Sequence, residues 1–208
     1  MKPVAHLLLT HGAGAPVESD FIVTLSLLLA KQGIKVTTFN FAYMEKQVLL
    51  NKKHPPSRIE RLVDEFKQQV LNLKYDLPVF VAGKSMGGRV ATMLMTDMVL
   101  REKVKGVIVY GYPFHPPRKA DKTRLSHLPD VCVPIQILQG ERDTFGNKTE
   151  VEGYGLPANV SVSFVNDGDH SFKPRKKSGF NLNDNMEAAA VESTRFIMKT
   201  LSLASSQK

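Results

Sequence analysis

The sequence predicts an α/β protein, a mostly parallel six-stranded sheet with helices on both faces. Six apolar, β-branched runs lie at 4–9, 34–39, 78–82, 106–110, 133–138 and 160–165. The first five are nearly continuous in hydrophobicity, as strands covered on both faces must be. The stretches between the runs carry helical periodicity, so that strands alternate with right-handed crossovers.

Each element has its own signal. Residues 19–32 hold an apolar face and stop before Gly33, a residue suited to ending a helix. Ser57 and Glu60 have capping-box spacing, and Ile59, Leu62, Val63, Phe66 and Val70 follow on one helical face. A third helix is expected over 86–99, with Val90, Met93, Leu94 and Leu100 at helical spacing, and a last one over about 184–202. The final run, "VSVSFV", alternates apolar residues with serine, as a half-exposed edge strand does. There is no internal repeat and no linker. A single domain is expected over 1–203, followed by a disordered tail at 204–208.

Length and composition narrow the class. A chain of 208 residues can bury a core without staples. Its one cysteine, Cys132, excludes an intramolecular disulfide, and its apolar neighbours make it a candidate core residue. The longest apolar stretch, 21–30, is too short to span a bilayer, so a soluble, cytoplasmic protein without a membrane partner is expected. A formal charge of +8 permits an anionic partner without selecting one. Neither metal nor dinucleotide cofactor is expected: there is no H-E-x-x-H, no cysteine pair, and "HGAGAP" does not match G-x-G-x-x-G.

The chemistry concentrates at "AGKSMGGR". Ser85 follows a strand and precedes a helix with Gly83 and Gly87 two residues either side, the pattern of a nucleophile elbow. A serine hydroxyl needs a general base, and the base an orienting acid. Two later strands supply them, Asp143 in "QGERD" and His170 in "NDGDHSF". Glu141, Asp167 and Asp169 are the rival acids. In a parallel sheet all these loops open at the same edge. An oxyanion would be met by the amide of Met86 and by Gly12 or Ala13 of "THGAGAP". His11 is read as a structural ring within that loop. Lys84 is expected to point away from the pocket into a salt link.

The motifs "HGAGAP", "AGKSMGGR", "YPFHPP", "LQGERDTFG" and "DGDHSFKPRKKSG" resemble a small α/β-hydrolase-like family. That family, often called dienelactone-hydrolase-like, also includes a testis-expressed protein and a subunit of a histone acetyltransferase complex. The resemblance covers nearly the whole chain and implies the α/β-hydrolase fold and the triad Ser85, Asp143, His170, without a settled substrate. The chain departs from true dienelactone hydrolases in having serine where they carry cysteine.

A serine hydrolase acting on an ester or thioester of a small acyl compound is the leading expectation. A non-catalytic interaction module that keeps the fold is the alternative, and nucleic-acid binding lacks a reader motif. Only about 20 residues precede the acid-bearing strand where many relatives insert a lid, so an open pocket without a sizeable lid is expected. Residues 41–56 form either an apolar wall over that pocket, through Phe41, Tyr43, Met44, Val48 and Leu50, or a loop packed on its own domain. Tyr43, Lys53, Arg118, Lys173 and Arg175 are candidates for a substrate rim that attracts an anionic acyl group; the competing reading is a solvated rim. Oligomeric state is left open by the sequence.

Overall fold

The computed structural model describes residues 2–205 apart from Tyr75 and Met98. Six strands, β1 (Ala5–Thr10), β2 (Ile34–Phe39), β3 (Val79–Lys84), β4 (Val104–Tyr110), β5 (Ile135–Gly140) and β6 (Val160–Val165), form one sheet in the order β2-β1-β3-β4-β5-β6. Every neighbouring pair is parallel, so all six C-terminal ends open on one side. β6 is an edge strand with a partly exposed face.

Alternation along β3 explains the two layers. Val79 and Val81 face one core with Val107, Val109, Ile135 and Ile137, whereas Phe80 and Ala82 face the other with Leu7, Leu9, Ile108 and Tyr110. On the first face lie α2 (Ala42–Leu50), α3 (Ile59–Leu71) and α4 (Met86–Leu94). On the second, α1 (Asp20–Lys31) packs against α6 (Leu182–Ser205). Ile22, Leu25 and Leu29 place α1 on the sheet, each worth about 1.5–3 kcal/mol of burial. A short helix, α5 (Lys148–Glu152), follows β5. Among the described residues, only a single 3₁₀ turn (Leu128–Asp130) is found between β4 and β5, and no large lid covers the sheet edge. This is the α/β-hydrolase fold.

Several local expectations change. Segment 42–50 is a helix, not a loop, and ends at Asn51 in the left-handed region (φ 46°). Phe41, Tyr43 and Met44 are core residues, while Val48 and Leu50 are exposed, so the segment packs on its own domain. The Ser57/Glu60 box does not form: α3 begins after Arg58 with no side-chain cap. A capping box forms instead at α5, between Asn147 and Glu150. The helix expected over 86–99 stops at Leu94, where Thr96 and Asp97 tighten onto the carbonyls of Met93 and Leu94. Cys132 is exposed, because the loop before β5 buries Val131 and Val133 and turns the thiol between them outward. Ala204 and Ser205 continue α6, and residues 206–208 of the expected tail lie outside the described residues. Among the described residues, no helix is long and apolar enough to cross a membrane.

Candidate functional site

Ser85 sits where β3 turns into α4, with φ 50° and ψ −114°. A serine held there costs on the order of 1–3 kcal/mol, and its surroundings enforce it. Its N–H donates to the Tyr110 carbonyl at 3.0 Å, and its carbonyl accepts from Arg89 as the first helical bond of α4. The glycines make the approach possible. A Cβ on Gly83 would fall inside the backbone of Gly87 and Gly88, and one on Gly87 inside the His11 carbonyl. Gly88, which the motif reading passed over, would meet Val109 in the same way.

Asp143 follows β5 and His170 follows β6, and both reach Ser85. Ser85 Oγ lies 2.8 Å from His170 Nε2, and His170 Nδ1 lies 2.7 Å from Asp143 Oδ2. A carboxylate only accepts, so Nδ1 carries the proton and Nε2 is free to accept from the serine hydroxyl. Asp143 is fully buried. Its Oδ1 accepts from the Phe145 N–H at 2.8 Å, and its Oδ2 also accepts from Gln139 Nε2 at 3.0 Å. The rival acids are occupied elsewhere. Glu141 accepts from the Asp167 N–H and pairs with Lys148. Asp167 pairs with Arg142 and Arg175, which hold its carboxyl down at about 2. Asp169 caps its own loop by accepting from Ser171 and Lys173.

The loop after β1 is shaped by His11. Its Nε2 accepts from the Phe41 N–H at 3.1 Å, so Nδ1 is the donor to the Gly12 carbonyl at 2.6 Å. Burial lowers its pKa and keeps the ring neutral. Tyr43 donates to the Ala13 carbonyl at 3.3 Å from below. Gly12 and Ala13 line a cavity of about 360 Å³ with Gly14, Ala15, Phe21, Phe145, Ser85 and His170. Met86 is the first residue of α4, where amides have no acceptor within the helix. A larger depression of about 900 Å³, lined by Asp76, Pro78, Val99 and Lys105, opens at the opposite end of the sheet, and among the described residues its lining holds no serine, threonine or cysteine.

The expected basic rim does not assemble at this cavity: Tyr43, Lys53, Arg118, Lys173 and Arg175 are all missing from its lining. Tyr43 is buried under the loop after β1 because its hydroxyl is used on the backbone there. Arg118 lines a separate hollow with His115, Thr144 and Glu150. Arg175 is taken by Asp167, and Lys53 and Lys173 are exposed. Lys84 also differs from expectation. It lines the cavity, is nearly buried, and donates from Nζ to the His170 carbonyl.

Three neighbours of the site escaped the motif reading. Gln139 ties Asp143 to the carbonyls of Tyr112 and Gly146 and accepts from the Tyr112 N–H. A fully buried amide inside the apolar run "IQILQG" was the available signal. The Phe145 ring packs on the His170 imidazole, centroids 4.3 Å apart. Phe21, from α1, closes the other wall. No sequence pattern pointed to either ring.

Known proteins share this architecture. Est1E from Butyrivibrio proteoclasticus superposes with a TM-score of 0.65 over 97% of this chain and 90% of its own, at 13% identity. A dienelactone hydrolase from Anabaena variabilis gives 0.67 over 95% and 87%, at 19% identity. An α/β serine hydrolase without a lid from Xanthomonas campestris gives 0.64 over 94% and 83%, at 16% identity. At such identities the likeness is one of fold. A family model described as alpha/beta hydrolase domain matches residues 3–198, nearly the whole length, and the chain belongs to the alpha/beta hydrolase family.

Proposed function

We propose that this protein is a serine hydrolase that cleaves an ester or thioester of a small acyl compound. The observation that carries the reading is the unbroken chain of hydrogen bonds from Ser85 Oγ through His170 to the buried Asp143. Ser85 Oγ attacks the acyl carbonyl carbon while His170 Nε2 takes its proton. Asp143 holds the imidazole in the tautomer this requires and offsets the imidazolium charge. The oxyanion is met by amides of Met86 and of Gly12 or Ala13, at the N-terminus of α4 where negative charge is favoured. Collapse of the intermediate breaks the bond to the alcohol or thiol, which leaves with the proton from His170. Water, deprotonated by the same nitrogen, then releases the acid and regenerates Ser85.

The cavity supports a short, mainly apolar acyl group. Its volume of about 360 Å³ is walled by Ala13, Ala15, Phe21, Ile22 and Phe145, and equals the space of about a dozen waters. An anionic acyl compound draws no support from the basic residues once expected at the rim. The protein acts in the cytoplasm as a single domain, on this reading.

The test is labelling with a fluorophosphonate probe read by intact-protein and peptide mass spectrometry. One adduct on Ser85, abolished by Ser85→Ala and by His170→Ala, is the expected result. A folded wild-type protein that takes no label would remove the hydrolase reading and favour an interaction module on the same fold.

A further inference from the structure

Lys84 and Ser85 are consecutive residues at the end of β3, and both grip His170. Ser85 Oγ meets the ring at Nε2, and Lys84 Nζ donates to the main-chain carbonyl of the same residue. The links close a ring: the backbone from Lys84 to Ser85, across to the imidazole, through His170 to its carbonyl, and back along the lysine. The reach from Ser85 to the base is thereby tied to one peptide unit of β3.

The ammonium is built into this place. Lys84 is 9% exposed, and among the described residues it forms no ion pair. Its Nζ lies 5.3 Å from the centre of the Phe21 ring, a cation over an aromatic face. Gly111, at φ 70°, leaves the space: a Cβ there would come within 3.0 Å of Nζ and 3.1 Å of the His170 carbonyl. A nearly buried cation without a contacting carboxylate is costly, and burial lowers its pKa to about 8 although Asp143 and Asp169 lie near enough to pull it back up. A residue this expensive, spent on one carbonyl of the loop that carries His170, calls for a reason beyond packing.

We propose that Lys84 is a positioning residue that holds the His170 loop so that the imidazole stays within hydrogen-bonding reach of Ser85. The proposal rests on the reading of Ser85 as nucleophile for its kinetic consequence, and on geometry alone for its structural one. Without the tether the His170 loop can draw back from β3, and a displacement of about 1 Å at a reacting pair can cost on the order of 100-fold in rate.

The experiment compares wild type with Lys84→Met, which keeps the length, and Lys84→Gln, which keeps a donor without the charge. Two readouts are taken on each: the maximal rate and half-saturating concentration of fluorophosphonate labelling, and the proton NMR signal of His170 Nδ1–H in its bond to Asp143. Lys84→Met is expected to label about 10- to 100-fold more slowly at an unchanged half-saturating concentration, with the Nδ1–H signal broadened or lost. Lys84→Gln is expected to fall between. Wild-type labelling rates and an intact Nδ1–H signal in both variants would overturn the proposal. So would a raised half-saturating concentration at an unchanged maximal rate, which would make Lys84 a substrate contact. If wild type takes no label, the hydrolase reading fails by itself, and the Nδ1–H signal still decides whether Lys84 holds the ring.

Discussion

Asp143 and Asp167 sit in adjacent loops at the same edge of the sheet, and they are wired in opposite ways. Asp167 Oδ1 lies 3.0 Å from Arg142 Nε, whose N–H donates to the Asp167 main-chain carbonyl at 2.9 Å, and the carboxylate accepts from Arg175 Nε at 2.9 Å and from the Arg175 main-chain N–H at 2.7 Å. Its charge is balanced on the spot by two guanidinium groups, and it ties Arg175 back to the start of its own loop. Asp143 is fully buried and, among the described residues, pairs with no arginine or lysine; its donors are the Gln139 amide, the Phe145 N–H and His170. Neutral donors steady a carboxylate without cancelling its charge, which leaves that charge available to the one neighbour able to become a cation. Residue type and strand position do not separate a staple from an orienting acid. The partners do.

The largest expected effect tests that contrast directly. Asp143→Asn turns an amide toward His170 Nδ1 and favours the wrong tautomer. Its labelling rate at Ser85 should fall about 10³- to 10⁴-fold with the fold retained. Asp167→Asn should label at close to the wild-type rate but unfold at lower urea. Because the folded-state pKa of Asp167 is depressed from 3.8 to about 2, its stabilisation is present above the unfolded value and lost as the pH falls through the folded one. The difference in urea midpoint between wild type and Asp167→Asn should therefore close between pH 4 and pH 2. Equal kinetic damage from both substitutions would erase the distinction.

Gln139→Leu comes next, because it strips Asp143 of a neutral donor, takes the Gln139 donor from the Gly146 carbonyl and takes the acceptor from the Tyr112 N–H. A loss of about 1–3 kcal/mol in chemical denaturation is expected, together with slower labelling. Lys84 adds a subtler signature. Its folded-state pKa of about 8 lies below the unfolded 10.5, so the folded protein sheds that proton first. Wild type should gain stability relative to Lys84→Met as the pH rises from 8 to 10.5, and the gain should vanish below 8. Urea midpoints of the two proteins at pH 7 and pH 10 check the sign. The smallest effect is expected from Arg118→Ala and Lys173→Ala, whose side chains stand outside the cavity beside Ser85. Each should change turnover of neutral and anionic esters by less than about twofold, as for exposed charges screened by salt.

The parallel strands were legible because strands buried on both faces are mostly apolar, and β1, β3 and β5 are buried at every position. That Ser85, Asp143 and His170 would meet followed from the same fact, since each lies just beyond the C-terminal end of a strand in one parallel sheet. Helix α2 was hidden by its composition. Tyr43 and Met44 face the core, but Val48, Leu49 and Leu50 are exposed, so the apolar residues do not trace one stripe. The rim failed for a different reason. Arg175 looks free in "DGDHSFKPR", yet the chain reverses at Asp167 and Phe172, both at positive φ, and brings the guanidinium back onto Asp167. Charge on a loop says little until the turn is known. Lys84 belongs to the same class, because a side chain beside the elbow can go to either side of the strand end, and Gly111 leaves room for it beside His170.

The crowding at Gly83, Gly87 and Gly88 bears on how such chains diverge. All three positions reject a methyl group because of backbone and core contacts, and none of those contacts involves a reacting atom. A descendant that lost its nucleophile would still be obliged to keep them, since α4 could not otherwise lie on β3. The glycine signature is thus inherited with the architecture. On the proposed reading chemistry is inherited separately, through Ser85, Asp143 and His170, and can be discarded by one nucleotide change while the glycines around it stay in place.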